Sequence, residues 1–119
     1  MEQINGWTTG PMQITLSSHV LDLDQGGPAA ELGLTLCRTD GSVVYEGTTD
    51  DDGRIEKQTL SMSRGEVLVL RFATGAWYER RGAVCFYPYV EVAFTPQEGG
   101  HYHVPLLINR HGYSTYRGS

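Results

Sequence analysis

The chain has 119 residues, of which 39% are hydrophobic and 15 are glycine, and its formal net charge is −5. This length suits a single domain with one core. The acidic balance excludes the broadly basic surface that a general nucleic-acid binder needs. No stretch approaches the roughly 20 apolar residues that cross a bilayer as a helix. We therefore expect neither nucleic acid nor a membrane as a partner.

The start of the sequence differs in character from the rest. Residues 1–11 show no strand alternation, so we predict a flexible leader followed by one domain over residues 12–119. The leader lacks the basic start and apolar run of a secretory signal, and we expect a cytoplasmic protein. In that compartment Cys37 and Cys85 are expected to be reduced thiols.

Short strands dominate the rest of the chain. Residues 12–22 alternate, with Ile14, Leu16 and Val20 on one face and His19 on the other. Turn-forming residues separate further runs of this kind. The patterns predict additional strands at residues 32–37, 42–48, 54–57, 66–72, 88–95, 102–108 and 113–117.

One segment favours a helix. Residues 74–82 read TGAWYERRG, in which Thr74 is the candidate N-terminal cap and Gly82 the candidate end. Two turns are marginal unless they pack against a sheet. About eight strands with one short helix predict an all-β fold, a two-sheet β-sandwich.

Three histidines are candidates for chemistry. His101 and His103 alternate with Tyr102 and lie on the outer face of their strand, as His19 does on its own strand. The ordinary interpretation is a solvated strand face. Leu107 shares the His103 face, however, which suggests that another subunit covers it. A covered imidazole has a lowered pKa and can act as a general base.

Arg54 follows an acidic turn, and two interpretations of it stay open. Its guanidinium offers a rigid fork of donors for a planar anionic ligand, or it forms a surface ion pair with the nearby aspartates. The turn is not a calcium loop, because threonines occupy the positions of the first and last ligands, Thr48 and Thr59. A zinc site of His19, His101 and His103 remains a minor alternative.

The tail ends in Tyr116, Arg117, Gly118 and Ser119. Chain ends are ordinarily disordered. A final strand that is pinned in a sheet would instead place a phenol, a guanidinium and a hydroxyl with precision.

Two blocks of sequence resemble a known family. HYHVPLL at residues 101–107 and GYSTYRGS at residues 112–119 resemble the C-terminal signature of 5-hydroxyisourate hydrolases, the enzymatic branch of the transthyretin-like family. LSSHVLD at residues 16–22 is similar to the N-terminal block of that family, and Arg54 falls where the family keeps an arginine. The resemblance covers nearly everything from Gln13 onward.

The resemblance implies a transthyretin-like (prealbumin-like) sandwich that forms a homotetramer, with active sites at the interface between dimers. It implies hydrolytic opening of the six-membered ring of 5-hydroxyisourate to 2-oxo-4-hydroxy-4-carboxy-5-ureidoimidazoline in urate degradation, with no metal or organic cofactor. It assigns catalysis to His19, Arg54 and His103, without deciding which histidine is the base, and substrate binding to Tyr116, Arg117, Gly118 and Ser119.

The alternative within the same family is a carrier of a small aromatic ligand, without catalysis. Carriers of this family lack the Tyr-Arg-Gly-Ser ending and do not keep the His, Arg, His set together. This chain has all of these residues, which favours the hydrolase.

Overall fold

The computed structural model describes residues 11–118, in which the chain forms short strands and one helix. The strands are β1 (Pro11–Ser17), β2 (Val20–Asp22), β3 (Gly27–Pro28), β4 (Gly33–Arg38), β5 (Val43–Thr48), β6 (Gln58–Ser63), β7 (Leu68–Phe72), β8 (Val90–Phe94), β9 (Gly100–His103), β10 (Leu106–Asn109) and β11 (Gly112–Thr115). Helix α1 spans Thr74–Glu79. Ser119 and the predicted leader lie outside the described residues, except Pro11, with which β1 begins.

One layer of the fold is the antiparallel sheet β5-β4-β7-β8. Its central pair is in register so that Leu34 faces Phe72 and Leu36 faces Leu70. All four side chains are buried in a core shared by both layers. The strands predicted at residues 32–37, 42–48, 66–72 and 88–95 are therefore confirmed, and their apolar side chains form one wall of the core.

The other layer consists of the sheets β6-β1-β9 and β11-β10-β2-β3. Two residues separate β1 from β2, and two separate β9 from β10. Across these breaks Val104 donates its backbone N–H to the carbonyl of Ser17 (3.0 Å), and Leu106 donates to the carbonyl of His19 (2.9 Å). The two sheets thus continue each other, and the all-β sandwich predicted from the sequence is confirmed.

The breaks correct two predicted strands, 12–22 and 102–108, each of which is split in two. Simple alternation placed Pro105 on the same face as His103, yet Pro105 is buried. The pairing stops at residues 104–105, where proline has no N–H to donate, and the alternation restarts beyond it. Ser18 fills the other break, with its buried hydroxyl donating to the carbonyl of Val104 at 2.7 Å.

The predicted strand at residues 54–57 is wrong. Arg54 forms only an isolated bridge, with His19, and the strand that pairs with β1 is β6, in which Leu60 lies opposite Ile14. In β6, Leu60 and Met62 alternate inward to the core, whereas residues 54–57 bury only one side chain. The apolar period of β6 therefore decides which segment joins the sheet.

Helix α1 is shorter than expected, and its start differs from the prediction. Ala73 occupies the N-terminal cap, while the hydroxyl of Thr74 donates to the carbonyl of Tyr87 at 3.2 Å. Thr74 as a cap is therefore wrong. Gly82 ends the segment as predicted: its φ is +75°, and Ala83 donates its N–H back to the carbonyl of Tyr78 at 3.0 Å.

Two further findings concern the expectations from composition. Cys37 and Cys85 are free and partly buried, as expected of reduced thiols. Within residues 11–118, no helix has the length and apolar character needed to cross a membrane.

Candidate active site

His19 lies at the break between β1 and β2, where its backbone forms a bridge with Arg54. Its Nε2 lies 2.8 Å from the carbonyl oxygen of Asp52. Since a carbonyl only accepts, Nε2 carries the hydrogen and donates it. The neutral ring therefore keeps a lone pair on Nδ1, and the turn at Asp52 fixes its tautomer and its orientation.

The turn that carries Arg54 is built by its neighbours. The carboxylate of Asp50 accepts the backbone N–H groups of Asp52 (2.9 Å) and Arg54 (3.0 Å), and these bonds lower the pKa of Asp50. Gly53 has a φ of +77°, and a Cβ there would lie 2.5 Å from the carbonyl oxygen of Val20. Only glycine lets the turn approach β2 this closely, which sets Arg54 beside His19.

The carboxylate of Asp50 accepts backbone N–H groups of this turn, which bears on the ion-pair interpretation of Arg54. The ion pairs found among residues 11–118 join Arg38 to Glu66, Arg71 to Glu91 and Arg110 to Asp24. The geometry of the described part of the chain thus favours Arg54 as a ligand-facing group.

His103 ends strand β9 opposite Ser17 of β1, and its Nδ1 lies 2.7 Å from the Ser17 hydroxyl. The ring is half-buried. Burial lowers the pKa of His103 below its usual value, and the nearby charges of Arg54 and His19 lower it further. The fold therefore favours the neutral imidazole. His103 pairs with Ser17, and His19, two residues further along the chain, forms a bridge with Arg54, so the three groups lie near one another.

The tail is pinned beside His103. Gly118 donates its backbone N–H to the carbonyl of His103 at 2.8 Å. A Cβ at Gly118 would lie 2.4 Å from Cδ2 of the His103 ring, so only a glycine fits against that imidazole. The hydroxyl of Thr115 donates to the carbonyl of Pro105 at 2.6 Å and anchors the segment upstream. The tail is therefore held in place as far as Gly118, contrary to the interpretation of a disordered chain end.

The other predicted tail residues point elsewhere within the protomer. The guanidinium of Arg117 lies over the Tyr102 ring, 4.5 Å from its centroid, on the strand face opposite His103. Arg117, Tyr116 and Tyr102 line a groove of about 320 Å³. The structure thus brings His19, Arg54, His103 and Gly118 together and sets the side chains of Tyr116 and Arg117 apart. Ser119 lies outside the described residues.

A second groove, of about 340 Å³, opens on the His19 side. Its lining combines apolar and polar groups, from Leu21, Pro28, His19, Asp52 and Arg54. An imidazole and a guanidinium beside apolar side chains suit a flat, polar ring.

The sequence pattern did not single out Ser17 or Thr15, although both contact histidines of the site. Their signal was present in the alternation, which puts residues 15, 17 and 19 on one face. The parallel register that sets β1 beside β9 is a long-range feature, and it decides which partners meet.

The geometry does not support the zinc alternative. Both ring nitrogens of His101 contact hydroxyls, and Nε2 of His19 is held by a carbonyl. In the described part of the chain, no three His, Cys, Asp or Glu side chains are grouped as metal ligands.

Comparison with known proteins agrees with this geometry. Residues 16–118 match the profile of the HIUase/Transthyretin family. The chain belongs to this family. It is 36% identical to a probable 5-hydroxyisourate hydrolase of Schizosaccharomyces pombe, over 92% of this chain and 94% of that protein.

Solved structures of the family superimpose on the whole sandwich. The 5-hydroxyisourate hydrolase of Klebsiella pneumoniae is 35% identical, with a TM-score of 0.82 over 89% of this chain and 99% of that one. Sea bream transthyretin, crystallised in complex with thyroxine, is 27% identical, with a TM-score of 0.77 over 87% of this chain and 93% of that one.

Proposed function

We propose that this chain hydrolyses 5-hydroxyisourate by opening its six-membered ring. The observation that carries the proposal is the contact of Gly118 with His103, which joins the tail to an imidazole that the fold keeps neutral. Arg54 and His19 lie at the same place. Relatives named as 5-hydroxyisourate hydrolases in fungi and bacteria support the same activity.

The residues suggest a division of labour. We assign His103 as the general base that takes a proton from the attacking water, since its neutral form is favoured. The guanidinium of Arg54 stabilises the oxyanion that develops on the ring carbonyl. His19, with its Nδ1 lone pair and fixed ring, holds the water or a substrate N–H in line. Each role uses a group whose orientation is set by the backbone.

The tail residues act on substrate in this proposal. Gly118 lets the tail lie against the base, and Ser119 follows it directly in the sequence. We assign Tyr116 and Arg117 to substrate binding as well, although within one protomer Arg117 contacts Tyr102. Their participation depends on how protomers assemble.

The carrier alternative is less well supported than the hydrolase. The thyroxine-bound transthyretin is 27% identical to this chain, and the hydrolase structure is 35% identical. A carrier that only binds an aromatic ring does not require Gly118, whose lack of a side chain lets the tail pack against the imidazole of His103. The protein is thus an enzyme acting on a small molecule.

We also propose that the chain forms a homotetramer. Leu21 and Leu107 lie side by side on the outer face of adjacent strands, with Pro28 and Ser114 as their neighbours to either side. This row crosses β3, β2, β10 and β11 beside His19. Apolar side chains next to a polar site favour cover by another protomer. The cytoplasmic location stays a prediction.

The activity is tested with 5-hydroxyisourate made in situ from urate by urate oxidase. We expect the purified protein to speed the loss of its ultraviolet absorbance, and His103→Asn or Arg54→Ala to lose about 100-fold or more in rate. His111→Gln, in an exposed turn, is the matched control and keeps full activity. No acceleration over the spontaneous decay would overturn the proposal.

A further inference from the structure

An unbroken series of hydrogen bonds runs from His103 to the exterior. The parallel register of β1 and β9 sets Ser17 beside His103 and Thr15 beside His101. The Ser17 hydroxyl oxygen lies 2.7 Å from Nδ1 of His103 and 3.1 Å from Nε2 of His101. The hydroxyl oxygen of Thr15 lies 2.7 Å from Nδ1 of His101. Two contacts therefore link the imidazoles through one serine, and the third joins His101 to Thr15.

The contacts impose a common direction on the hydrogens. The Ser17 hydroxyl has one hydrogen and touches two ring nitrogens, so it donates to one and accepts from the other. If Nδ1 of His103 donates to Ser17, then Ser17 donates to Nε2 of His101, and Nδ1 of His101 donates to Thr15. In the reverse arrangement every bond reverses.

We propose that Ser17 and His101 form a proton relay, with Thr15 orienting His101, that sets the tautomer of His103 and moves its charge to the exterior during turnover. The relay rests on the proposed hydrolytic function and adds positioning residues to it. Nothing in the roles of His19, Arg54 or the tail requires these three side chains.

The resting direction makes His103 a base. With its hydrogen on Nδ1 and donated to Ser17, His103 presents the lone pair of Nε2 to the substrate side. When Nε2 takes a proton from the attacking water, Nδ1 passes its proton to Ser17. Ser17 passes its own to Nε2 of His101, which becomes the imidazolium.

The return step balances the reaction. The imidazolium of His101 first returns a proton through Ser17 to Nδ1 of His103, which makes His103 the imidazolium. Nε2 of His103 then gives its new proton to the leaving ring nitrogen as the C–N bond breaks, and His103 is again neutral with its hydrogen on Nδ1. The water has thus supplied hydroxide to the carbonyl carbon and a proton to the leaving nitrogen, and each relay residue ends in its starting form.

The two histidines differ in how well they hold a positive charge. His103 is half-buried near Arg54, His19 and His101, whereas His101 is exposed. Burial and these neighbouring groups lower the pKa of His103. Because His101 is exposed, water solvates a positive charge there better than at His103. Proton transfer from His103 towards His101 is therefore favourable.

Substitutions of Ser17 test positioning. We expect Ser17→Ala to lower kcat by about 10- to 100-fold with little change in KM, because the ring loses its fixed tautomer and orientation. Ser17→Thr keeps a hydroxyl and restores most of the rate. Ser61→Ala, an exposed serine of the adjacent strand β6, is the matched control. Equal activity of Ser17→Ala and Ser61→Ala would overturn the relay.

Substitution of His101 tests proton transfer. His101→Gln preserves a hydrogen-bonding side chain but cannot hold the proton. We expect it to lower kcat, to shift the acid limb of the kcat profile, and to reduce the number of protons that contribute to the solvent deuterium effect. His111→Gln is the control. Unchanged kcat, pH profile and proton inventory in His101→Gln would contradict the relay.

Nitrogen-15 NMR gives a readout that does not depend on catalysis. In the unsubstituted protein at a pH where His103 is neutral, we expect its hydrogen on Nδ1. In Ser17→Ala it moves largely to Nε2. If the unsubstituted protein leaves 5-hydroxyisourate untouched, the proposed function fails, and the spectra still decide the relay. A hydrogen on Nε2 of His103 in both proteins would refute it.

Discussion

Two histidines that are two residues apart in one strand have different environments. His101 is exposed, while His103 is half-buried beside Arg54 and His19. The difference comes from the tail, because Gly118 packs on the ring of His103. At the scale of a residue, the motif supplies two imidazoles, and burial favours the neutral form of one of them.

This environment predicts the acid limb of the pH–rate profile. The pKa of His103 is lowered from 6.5, so its neutral form persists below pH 6.5. We expect kcat/KM to fall on the acid side with a midpoint below pH 6.5. Arg54→Gln removes a positive neighbour and should raise the midpoint of the His103 ring-proton titration in NMR spectra. A midpoint above 6.5 in the unsubstituted protein would contradict this account.

Gly118 gives a second prediction at this scale. In Gly118→Ala the new Cβ would lie 2.4 Å from the His103 ring, so the ring or the tail must shift. We expect kcat/KM to fall by about 100-fold, with little change in thermal stability, because misplacement by about 1 Å is enough. Gly112→Ala, with no atom closer than 3.9 Å, is the control in the preceding strand β11. Equal rates for the two variants would show that the contact is irrelevant.

At the scale of elements, the turn at Gly53 holds Arg54 against β2. In Gly53→Ala, the new side chain is strained by the positive φ of +77°, and its Cβ would also lie 2.5 Å from the carbonyl oxygen of Val20. In Gly65→Ala, the φ of +79° causes similar strain, but no atom lies within 4 Å of the new Cβ. We expect Gly65→Ala to lower the free energy of unfolding by about 1 to 2 kcal/mol, and Gly53→Ala by more. Chemical denaturation measures both. Equal losses of unfolding free energy would mean that the turn can move away from Val20 at no further cost.

The same elements show what the sequence could predict. Alternation correctly assigned Ile14, Leu16 and Val20 to the core and set His19 and His103 outward. It missed strand β6, although Leu60 and Met62 have the period of a strand, and it missed the breaks at residues 18–19 and 104–105, which depend on which strand lies beside which. A one-dimensional period carries no information about such partners.

The candidate site shows the same limit. The resemblance to a family supplied His19, Arg54, His103 and the tail, and the described residues bring the first three together with Gly118. Ser17 was not predicted, since its importance arises only from the parallel pairing of β1 with β9. Residues that act through a neighbour have no signature of their own.

At the scale of the whole molecule, the site occupies an outer face of the sandwich. His19 and Arg54 line an open groove with Leu21 and Pro28. An open groove leaves the reacting groups in water, which weakens every electrostatic contribution to catalysis. Cover by a second protomer would exclude that water and bring further side chains to the groove. Assembly and activity should therefore be linked.

Leu107 tests the link, since it lies on the outer face beside Leu21 and makes none of the hydrogen bonds of the proposed relay. Leu107→Glu would place a carboxylate in the face that a second protomer covers. We therefore expect the mass measured by light scattering to fall from that of four protomers to that of fewer. Activity should fall in proportion to the loss of the tetramer. Val43→Glu, an exposed valine of β5 in the other layer, is the control and should change neither. If Leu107→Glu dissociates with full activity retained, each protomer is complete alone; if the unsubstituted protein is monomeric, the outer face needs no cover.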